Sequence, residues 1–236
     1  MWLSSSTIGR KVVMSISGLF LILFLTFHVC MNIVALISAD GYNAVCRFLG
    51  ANWYALVGTL VLAAGFFVHI IYAFWLTMQN RRARGSERYK VVDKPKSVEW
   101  ASQNMLVLGI IVIGIACFHL YHFWYNMQLQ EILGNETVNV AACAVGAGQA
   151  LTNASVHDGY AFIAATFSNP VVVVLYLVWF VALWFHLTHG FWSALHTLGW
   201  NNNIWFNRWK VIANVYATIV CLGFAVVAIA FYFKSL

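Results

Sequence analysis

Four histidines, His28, His69, His119 and His186, lie in four separate long apolar segments of the chain. A polar side chain within an apolar segment long enough to cross a membrane is costly, so each is a candidate functional residue. Imidazole is also a common metal ligand. For helices that alternate in direction, with a rise of about 1.5 Å per residue, His28 and His119 fall at one depth. His69 and His186 fall at another.

Two depth-matched pairs, each drawn from two helices, meet the requirement for bis-histidine ligation of two stacked haems, because each iron takes one imidazole on either side of the porphyrin. The pairs are offset by about seven residues, or about 10 Å. The chain has no Cys-x-x-Cys-His motif, which indicates b-type haems. A single histidine more often hydrogen-bonds a neighbouring helix, but four at matched depths favour ligation. Depth alone leaves His122 and His189, one turn further along, as alternatives.

Several glycines lie on the same segments. Gly18 and Gly109 each come ten residues before a histidine, and Gly58 and Gly65 lie on the second segment. Small residues allow either close approach of a porphyrin to the backbone or close helix packing.

The composition explains which elements carry these histidines. The chain has 236 residues, of which 62% are hydrophobic and 8% are charged, with a mean hydropathy of +0.79. These values predict an all-α integral membrane protein, a single domain over 1–236 with no separate soluble domain. The apolar first segment reads as a retained helix rather than a signal peptide. The predicted five-helix transmembrane bundle has spans near 12–37, 53–78, 101–127, 170–197 and 211–233.

Basic residues predict the orientation of the bundle. Eleven of the thirteen flank the spans on one side: Arg10, Lys11, Arg81, Arg82, Arg84, Arg88, Lys90, Lys94, Lys96, Arg208 and Lys210. Because positively charged loops remain in the cytoplasm, the N-terminus is predicted to be cytoplasmic. The net charge of +6 then reflects membrane topology and predicts no nucleic-acid partner.

The acidic residues lie outside every predicted span: Asp40, Glu87, Asp93, Glu99, Glu131, Glu136 and Asp158. Ion pumps and proton-coupled transporters usually need a buried acid, and the chain shows no inverted repeat. A histidine-lined transporter or metal channel is therefore the weaker hypothesis.

Four motifs together resemble a known family. FLTFHVCMN surrounds His28, VHIIYAFW surrounds His69, LGIIVIGIACFHLYHFW contains His119, and FHLTHGFWSALHTLGW contains His186. In this order they resemble the single-chain, five-helix, di-haem cytochrome b of succinate:menaquinone and quinol:fumarate reductases, found in the bacterial cytoplasmic membrane. The resemblance implies that His28 and His119 ligate a distal haem b, and His69 and His186 a proximal one. Its motif spacings select His119 over His122 and His186 over His189.

The resemblance also implies the function and the partners. Electrons would pass between menaquinone and an iron–sulfur subunit through the two haems. A flavoprotein subunit, docked with the iron–sulfur subunit on the cytoplasmic face, would perform the dicarboxylate chemistry, so this chain would carry no catalytic residue for that step. A homodimer of heterotrimers is implied as well. The alternative is a di-haem cytochrome b anchor of a formate, hydrogen or nitrate enzyme.

Further candidate site residues lie near the two predicted haems. The candidates for a haem propionate or a position beside the proximal haem are Trp100 and His189. Those for a quinone site beside the distal haem are Asn32, Asn43, Arg47 and His122. The basic loop from Arg81 to Lys96 is expected to meet the iron–sulfur subunit, in addition to its topological role.

Two smaller expectations concern Trp184 and a pair of cysteines. Some quinol:fumarate reductases of this type have a glutamate two residues before the ligand of the fourth span, where this chain has Trp184. In those enzymes the glutamate is proposed to move protons that compensate transmembrane electron flow. Because this chain lacks it, electron transfer is expected to be electrogenic. Cys46 and Cys143 lie in the two predicted outer loops, where a disulfide is chemically permitted.

Overall fold

A computed structural model of the chain describes residues 6–84, 99–140, 153–200 and 202–236. It is mostly helical. In chain order the elements are α1 (Thr7–Ile37), α2 (Ala39–Phe48), α3 (Trp53–Arg84), α4 (Trp100–Gln103), α5 (Met105–His119), a π-helical segment (Leu120–Tyr125), α6 (Gln128–Ile132), β1 (Thr137–Asn139), β2 (Asn153–Ser155), α7 (Gly159–Phe167), α8 (Pro170–Thr197) and α9 (Trp205–Ser235).

Five helices are long and apolar enough to cross a membrane, which confirms the predicted number of spans. They are α1, α3, α5 with its π-helical continuation, α8 and α9. Two of them begin earlier than their apolar runs because polar residues cap their first turns. The Ser6 hydroxyl accepts from Gly9 N at 2.9 Å, and the Asn202 side chain accepts from Trp205 N at 2.9 Å. Capped in this way, helical structure extends beyond the apolar stretch.

The chain divides into two compact units. The first contains Met1–Phe24, Val61–Ile110 and Leu183–Thr218, and the second contains Leu25–Leu60, Ile111–Ala182 and Ile219–Leu236. Each of the five spans therefore contributes one segment to each unit. The first unit holds His69 and His186, and the second holds His28 and His119.

Within the first unit, polar side chains connect neighbouring helices. Tyr216 on α9 donates to the Ile22 carbonyl on α1 at 2.8 Å, and Trp184 on α8 donates to Thr218 Oγ1 on α9 at 2.9 Å. The ring of Phe20 on α1 packs over Gly65 on α3, where an added Cβ would lie 2.7 Å from the ring. These contacts align the helix segments that carry the histidines of this unit.

Within the second unit, short elements pack beside the spans. β1 and β2 pair antiparallel, with Val138 opposite Ala154. Val140, Phe162 and Ala165 form a buried apolar cluster. On the spans, Gly223 of α9 brings that helix close to α1, because an added Cβ would lie 2.7 Å from a methyl of Val29.

Helix α7 is connected to α2 through the side chains of Asp158 and Asn43. Asp158 caps α7 by accepting from Ala161 N at 3.1 Å, and the same carboxylate accepts from Asn43 Nδ2 at 2.8 Å. The Asn43 oxygen accepts from Tyr160 N at 3.0 Å. Asn43 is thus a structural connection between the two helices.

Candidate haem-ligating histidine pairs

In the first unit, His69 of α3 lies beside His186 of α8. Their ring centroids are 6.3 Å apart, with an angle of 69° between the ring planes. Both side chains are half-buried. The pair is drawn from two different spans, as the depth comparison predicted.

Small residues on α1 and α5 face these imidazoles. An added Cβ on Gly18 would lie 3.3 Å from His69 Cε1, and one on Gly109 would lie 3.8 Å from His186 Cε1. The glycine at Gly18 therefore makes room for the His69 ring, whereas a Cβ on Gly109 would make an ordinary contact with His186. The Nδ1 atom of His186 is buried and has no hydrogen-bond partner within the described residues.

In the second unit, His28 of α1 lies beside His119 of α5. Their ring centroids are 5.8 Å apart, with an interplanar angle of 84°. Aromatic rings surround the pair: Phe224 lies 5.5 Å from His28, and Trp179 lies 5.6 Å from His119. The buried Nδ1 of His119 likewise lacks a hydrogen-bond partner in the part of the chain that the structure describes.

The spacing within each pair fits axial ligation of one iron. If the metal–nitrogen bonds were about 2 Å long, as they are for imidazole on zinc, two rings on either side of one iron would have centroids about 6 Å apart. The observed values are 5.8 Å and 6.3 Å.

Each candidate site offers two imidazoles as donors. Across residues 6–84, 99–140, 153–200 and 202–236, no group of three or more His, Cys, Asp or Glu side chains could hold a metal ion. A pair of imidazoles suffices when the cofactor itself supplies the four equatorial nitrogens. Each pair could therefore supply the two protein ligands of a haem.

The alternative ligand His122 occupies a different environment. It lies in the π-helical segment and is 2% exposed. Its Nδ1 lies 3.0 Å from the Tyr176 hydroxyl, and the two rings stack with centroids 6.0 Å apart. At the end of this segment, Asn126 donates its side-chain amide to the Tyr121 carbonyl at 2.7 Å. His122 thus joins α8 to the end of the third span.

His189, the other alternative, lies beside a carboxylate. Its Nδ1 is 3.9 Å from Glu99 Oε2. Glu99 also accepts from Trp192 Nε1 at 3.2 Å and pairs with Lys210 Nζ at 2.8 Å.

Trp100, the neighbour of Glu99, is 58% exposed and packs on Phe185 with centroids 5.0 Å apart. Glu99 is the first described residue after 85–98, so most of the basic loop Arg81 to Lys96 lies outside the described residues.

The predicted quinone residues take different places in the second unit. Asn32 donates to the His28 carbonyl at 2.8 Å, and its amide nitrogen lies 3.4 Å from His28 Nδ1. Tyr42 donates to Asn32 Oδ1 at 3.5 Å. Asn43 is held by Asp158 and α7, and the Arg47 side chain is exposed. Of the four candidates, Asn32 and His122 lie closest in sequence to the histidine pair, and Asn32 contacts it.

Cys46 lies on α2 against the start of α7. A Cβ on Gly159 would clash with its sulfur and would lie 2.9 Å from the Tyr42 ring. Burial is the main reason that the pKa of Cys46 is raised to about 11, and burial also raises the pKa of Tyr42. Its expected disulfide partner, Cys143, lies outside the described residues.

Sequence reasoning missed three residues at these sites: Ser17, whose Oγ lies 3.3 Å from His69 Nδ1, Tyr176 and Lys210. Ser17 and Tyr176 are polar groups within apolar spans, which is itself a signal because such groups need partners there. Lys210 was counted only as a topological charge. Its pairing with Glu99 depends on tertiary contacts.

Comparison of the chain with protein-family models, with curated proteins and with solved structures gives no match.

Proposed function

We propose that this chain is the membrane-anchoring, di-haem cytochrome b subunit of a succinate:quinone oxidoreductase or quinol:fumarate reductase. The observation that carries the proposal is the spacing of two histidine pairs from four different spans, 6.3 Å for His69 and His186 and 5.8 Å for His28 and His119. The motif order described above supports this class of cytochrome over an anchor for a formate, hydrogen or nitrate enzyme.

The four histidines would hold the haems, and the surrounding residues would shape their sites. Haem b bound between two imidazoles supplies a one-electron redox couple. Gly18 leaves space for the His69 ring, and the aromatic rings of Trp179 and Phe224 pack beside the His28–His119 pair. A dry surrounding is one of the means by which a protein sets a haem potential.

The reaction partners follow from the proposed class. Menaquinone would react near the His28–His119 pair, where Asn32 contacts His28. A flavoprotein and an iron–sulfur subunit would dock on the cytoplasmic face, on the side of the Arg81 to Lys96 loop, and supply or take up the electrons. The chain itself would lie in a bacterial cytoplasmic membrane with its N-terminus in the cytoplasm. Each complex would then contain one copy of each subunit, and two such heterotrimers would form the dimer.

Haem quantification with a redox-monitored visible spectrum tests the ligand assignment. The wild type is expected to hold two b-type haems per chain. Alanine variants at His28 and His119 should each lose one haem, and those at His69 and His186 should each lose the other. His196→Ala is the control, because His196 lies near the end of α8 and packs edge-on to Phe206. Absence of haem in the wild type would refute the proposal, and retention of both haems in any of the four variants would refute that ligand.

A membrane assay tests the physiological role. In a strain that lacks this chain, membranes should lose succinate-dependent quinone reduction or quinol-dependent fumarate reduction. Soluble succinate oxidation with an artificial electron acceptor should remain. If formate, hydrogen or nitrate activity is lost instead, the chain belongs to the alternative class of anchors.

A further inference from the structure

The candidate ligands His69 and His186 differ in the contacts of their Nδ1 atoms. Ser17 Oγ on α1 lies 3.3 Å from His69 Nδ1. The same hydroxyl donates to the Met14 carbonyl at 3.0 Å, so its single hydrogen is already used. Facing the imidazole, Ser17 can therefore only accept.

The Nδ1 edge of the His69 ring faces α1. The Gly18 contact shows which edge faces α1, because an added Cβ there would lie 3.3 Å from Cε1 and 3.6 Å from Nδ1. A hydroxyl that can only accept, placed beside Nδ1, favours the neutral ring that carries its proton on Nδ1.

The burial of Ser17 supports a specific role. Its relative exposure is 7%, and a buried hydroxyl within a membrane span is costly unless its hydrogen bonds are satisfied. The helix alone would satisfy it through the Met14 carbonyl, yet its remaining acceptor site is directed at His69. His186 has no equivalent, since its buried Nδ1 lacks a partner within the described residues.

We infer that Ser17, whose own hydrogen goes to the Met14 carbonyl, is a positioning residue that fixes His69 in the Nδ1-protonated tautomer and leaves the Nε2 lone pair free to ligate iron. This inference rests on the proposed haem ligation by His69. A ligating imidazole that donates its other ring N–H is held in orientation and becomes a stronger donor. Ser17 would therefore strengthen haem binding at the His69–His186 pair and favour the oxidised iron there. The site of the His28–His119 pair would be unaffected.

Three variants of the full chain test the assignment. Ser17→Ala removes the acceptor, and Ser17→Thr keeps it. Ser15→Ala is the matched control, because Ser15 lies on the same helix and is also 7% exposed. Loss of an outer partner of a metal ligand typically weakens metal affinity by about 10–100-fold.

The first readout is haem retention and a redox titration of the purified protein. In Ser17→Ala, one of the two haems should titrate at a higher potential or be retained about 10-fold less tightly, and it should be the haem that His69→Ala removes. Ser17→Thr and Ser15→Ala should match the wild type. Unchanged titration of both haems in Ser17→Ala, or an equal shift in Ser15→Ala, would overturn the inference.

The second readout does not need haem. The full chain, labelled with ¹⁵N-histidine and produced in a haem-deficient host, reports the tautomer of each neutral ring by solid-state NMR in bilayers, and His69→Ala identifies the signal of His69. The wild type should show His69 protonated at Nδ1, and Ser17→Ala should shift it toward the Nε2-protonated form. The same tautomer population in both proteins would overturn the inference. Absence of haem in normally produced wild type would instead refute the proposed function and leave the tautomer result valid.

Discussion

Gly18 shows how closely the backbone of α1 approaches a candidate ligand. An added Cβ would lie 3.3 Å from His69 Cε1, which is closer than an ordinary van der Waals contact. Gly18→Val should therefore displace the imidazole and lower the content of the haem assigned to His69 and His186, measured by pyridine haemochrome assay. The second haem should remain.

Gly58→Val is the control for this substitution. Gly58 lies on another span, α3, and an added Cβ there meets no described atom within 4 Å. Because both variants place the same β-branched residue within a helix, their intrinsic helix cost is equal. Equal loss of haem in the two variants would contradict a specific role for Gly18.

Cys46 should be an unreactive thiol at neutral pH. Its pKa is raised to about 11 by burial, so at pH 8 only about one thiol in a thousand is ionised, against roughly a quarter for a free cysteine of pKa about 8.5. Burial favours the neutral thiol over the thiolate. The reactivity of Cys46 should therefore rise with pH until the pH reaches the raised pKa. Iodoacetamide labelling of Cys46 should increase about tenfold per pH unit between pH 8 and 10.

Mass spectrometry of the Cys46 peptide measures this labelling, with the SDS-denatured chain as control. Denaturation should restore the rate of an ordinary thiol. Fast labelling of the folded chain at pH 8 would contradict the burial of this sulfur. If label enters the denatured chain only after reduction, Cys46 is oxidised, as the expected bridge to Cys143 requires.

The histidine pairs show what sequence reasoning can and cannot predict about a membrane site. Depth along regular helices brings His28 near His119 and His69 near His186, because a fixed rise per residue makes depth calculable. Rotation about the helix axis is set by packing instead. The partners of each ring, such as Ser17 for His69 and Tyr176 for His122, therefore emerged only from the structure.

The His122–Tyr176 contact joins the π-helical end of the third span to α8. The two atoms lie 3.0 Å apart in a site where His122 is 2% exposed. Interhelical hydrogen bonds in membranes average about 0.6 kcal/mol, with a maximum of about 1.7 kcal/mol. A double-mutant cycle of His122→Leu and Tyr176→Phe should give a coupling free energy between about 0.6 and 1.7 kcal/mol. SDS unfolding of the reconstituted chain measures it.

A second cycle pairs His122→Leu with Tyr216→Phe. Tyr216 donates to the Ile22 carbonyl, so its coupling to His122 should be close to zero. A His122–Tyr176 coupling no larger than this control value would show that the contact does not stabilise the helix pair.

The spans were predictable and the connecting elements were not. An apolar run of about twenty residues has few alternatives to a helix in a bilayer, since every backbone polar group must be satisfied internally. The segments between spans have no such constraint. Helix α2 depends on a Ser38 cap, which accepts from Gly41 N at 3.0 Å, and on the Asn43 contact with Asp158, which lies 115 residues away. Local sequence shows the cap but not the distant partner.

The distribution of charge over the whole chain bears on how it would move electrons. None of the seven carboxylates lies in the five candidate spans. At the position where some members of the resembled family have a glutamate, Trp184 donates to Thr218 Oγ1 at 2.9 Å, and Thr218 in turn donates to the Asn214 carbonyl at 2.7 Å. An indole and a hydroxyl already bonded to a carbonyl cannot replace a titratable acid as a proton carrier.

Electron transfer through the proposed complex should therefore be electrogenic. If quinol is oxidised near the outer face, its protons are released outside while the electrons cross to the cytoplasmic partner, and no carboxylate pathway in this chain returns protons to compensate. Vesicles that contain the reconstituted complex should build a membrane potential during quinol oxidation by fumarate, detected with a potential-sensitive dye. A protonophore should abolish the potential, and a complex with His69→Ala should not generate it. Turnover of quinol and fumarate without a potential would show that protons cross by a route that needs no buried carboxylate in this chain, or that quinol reacts on the cytoplasmic side.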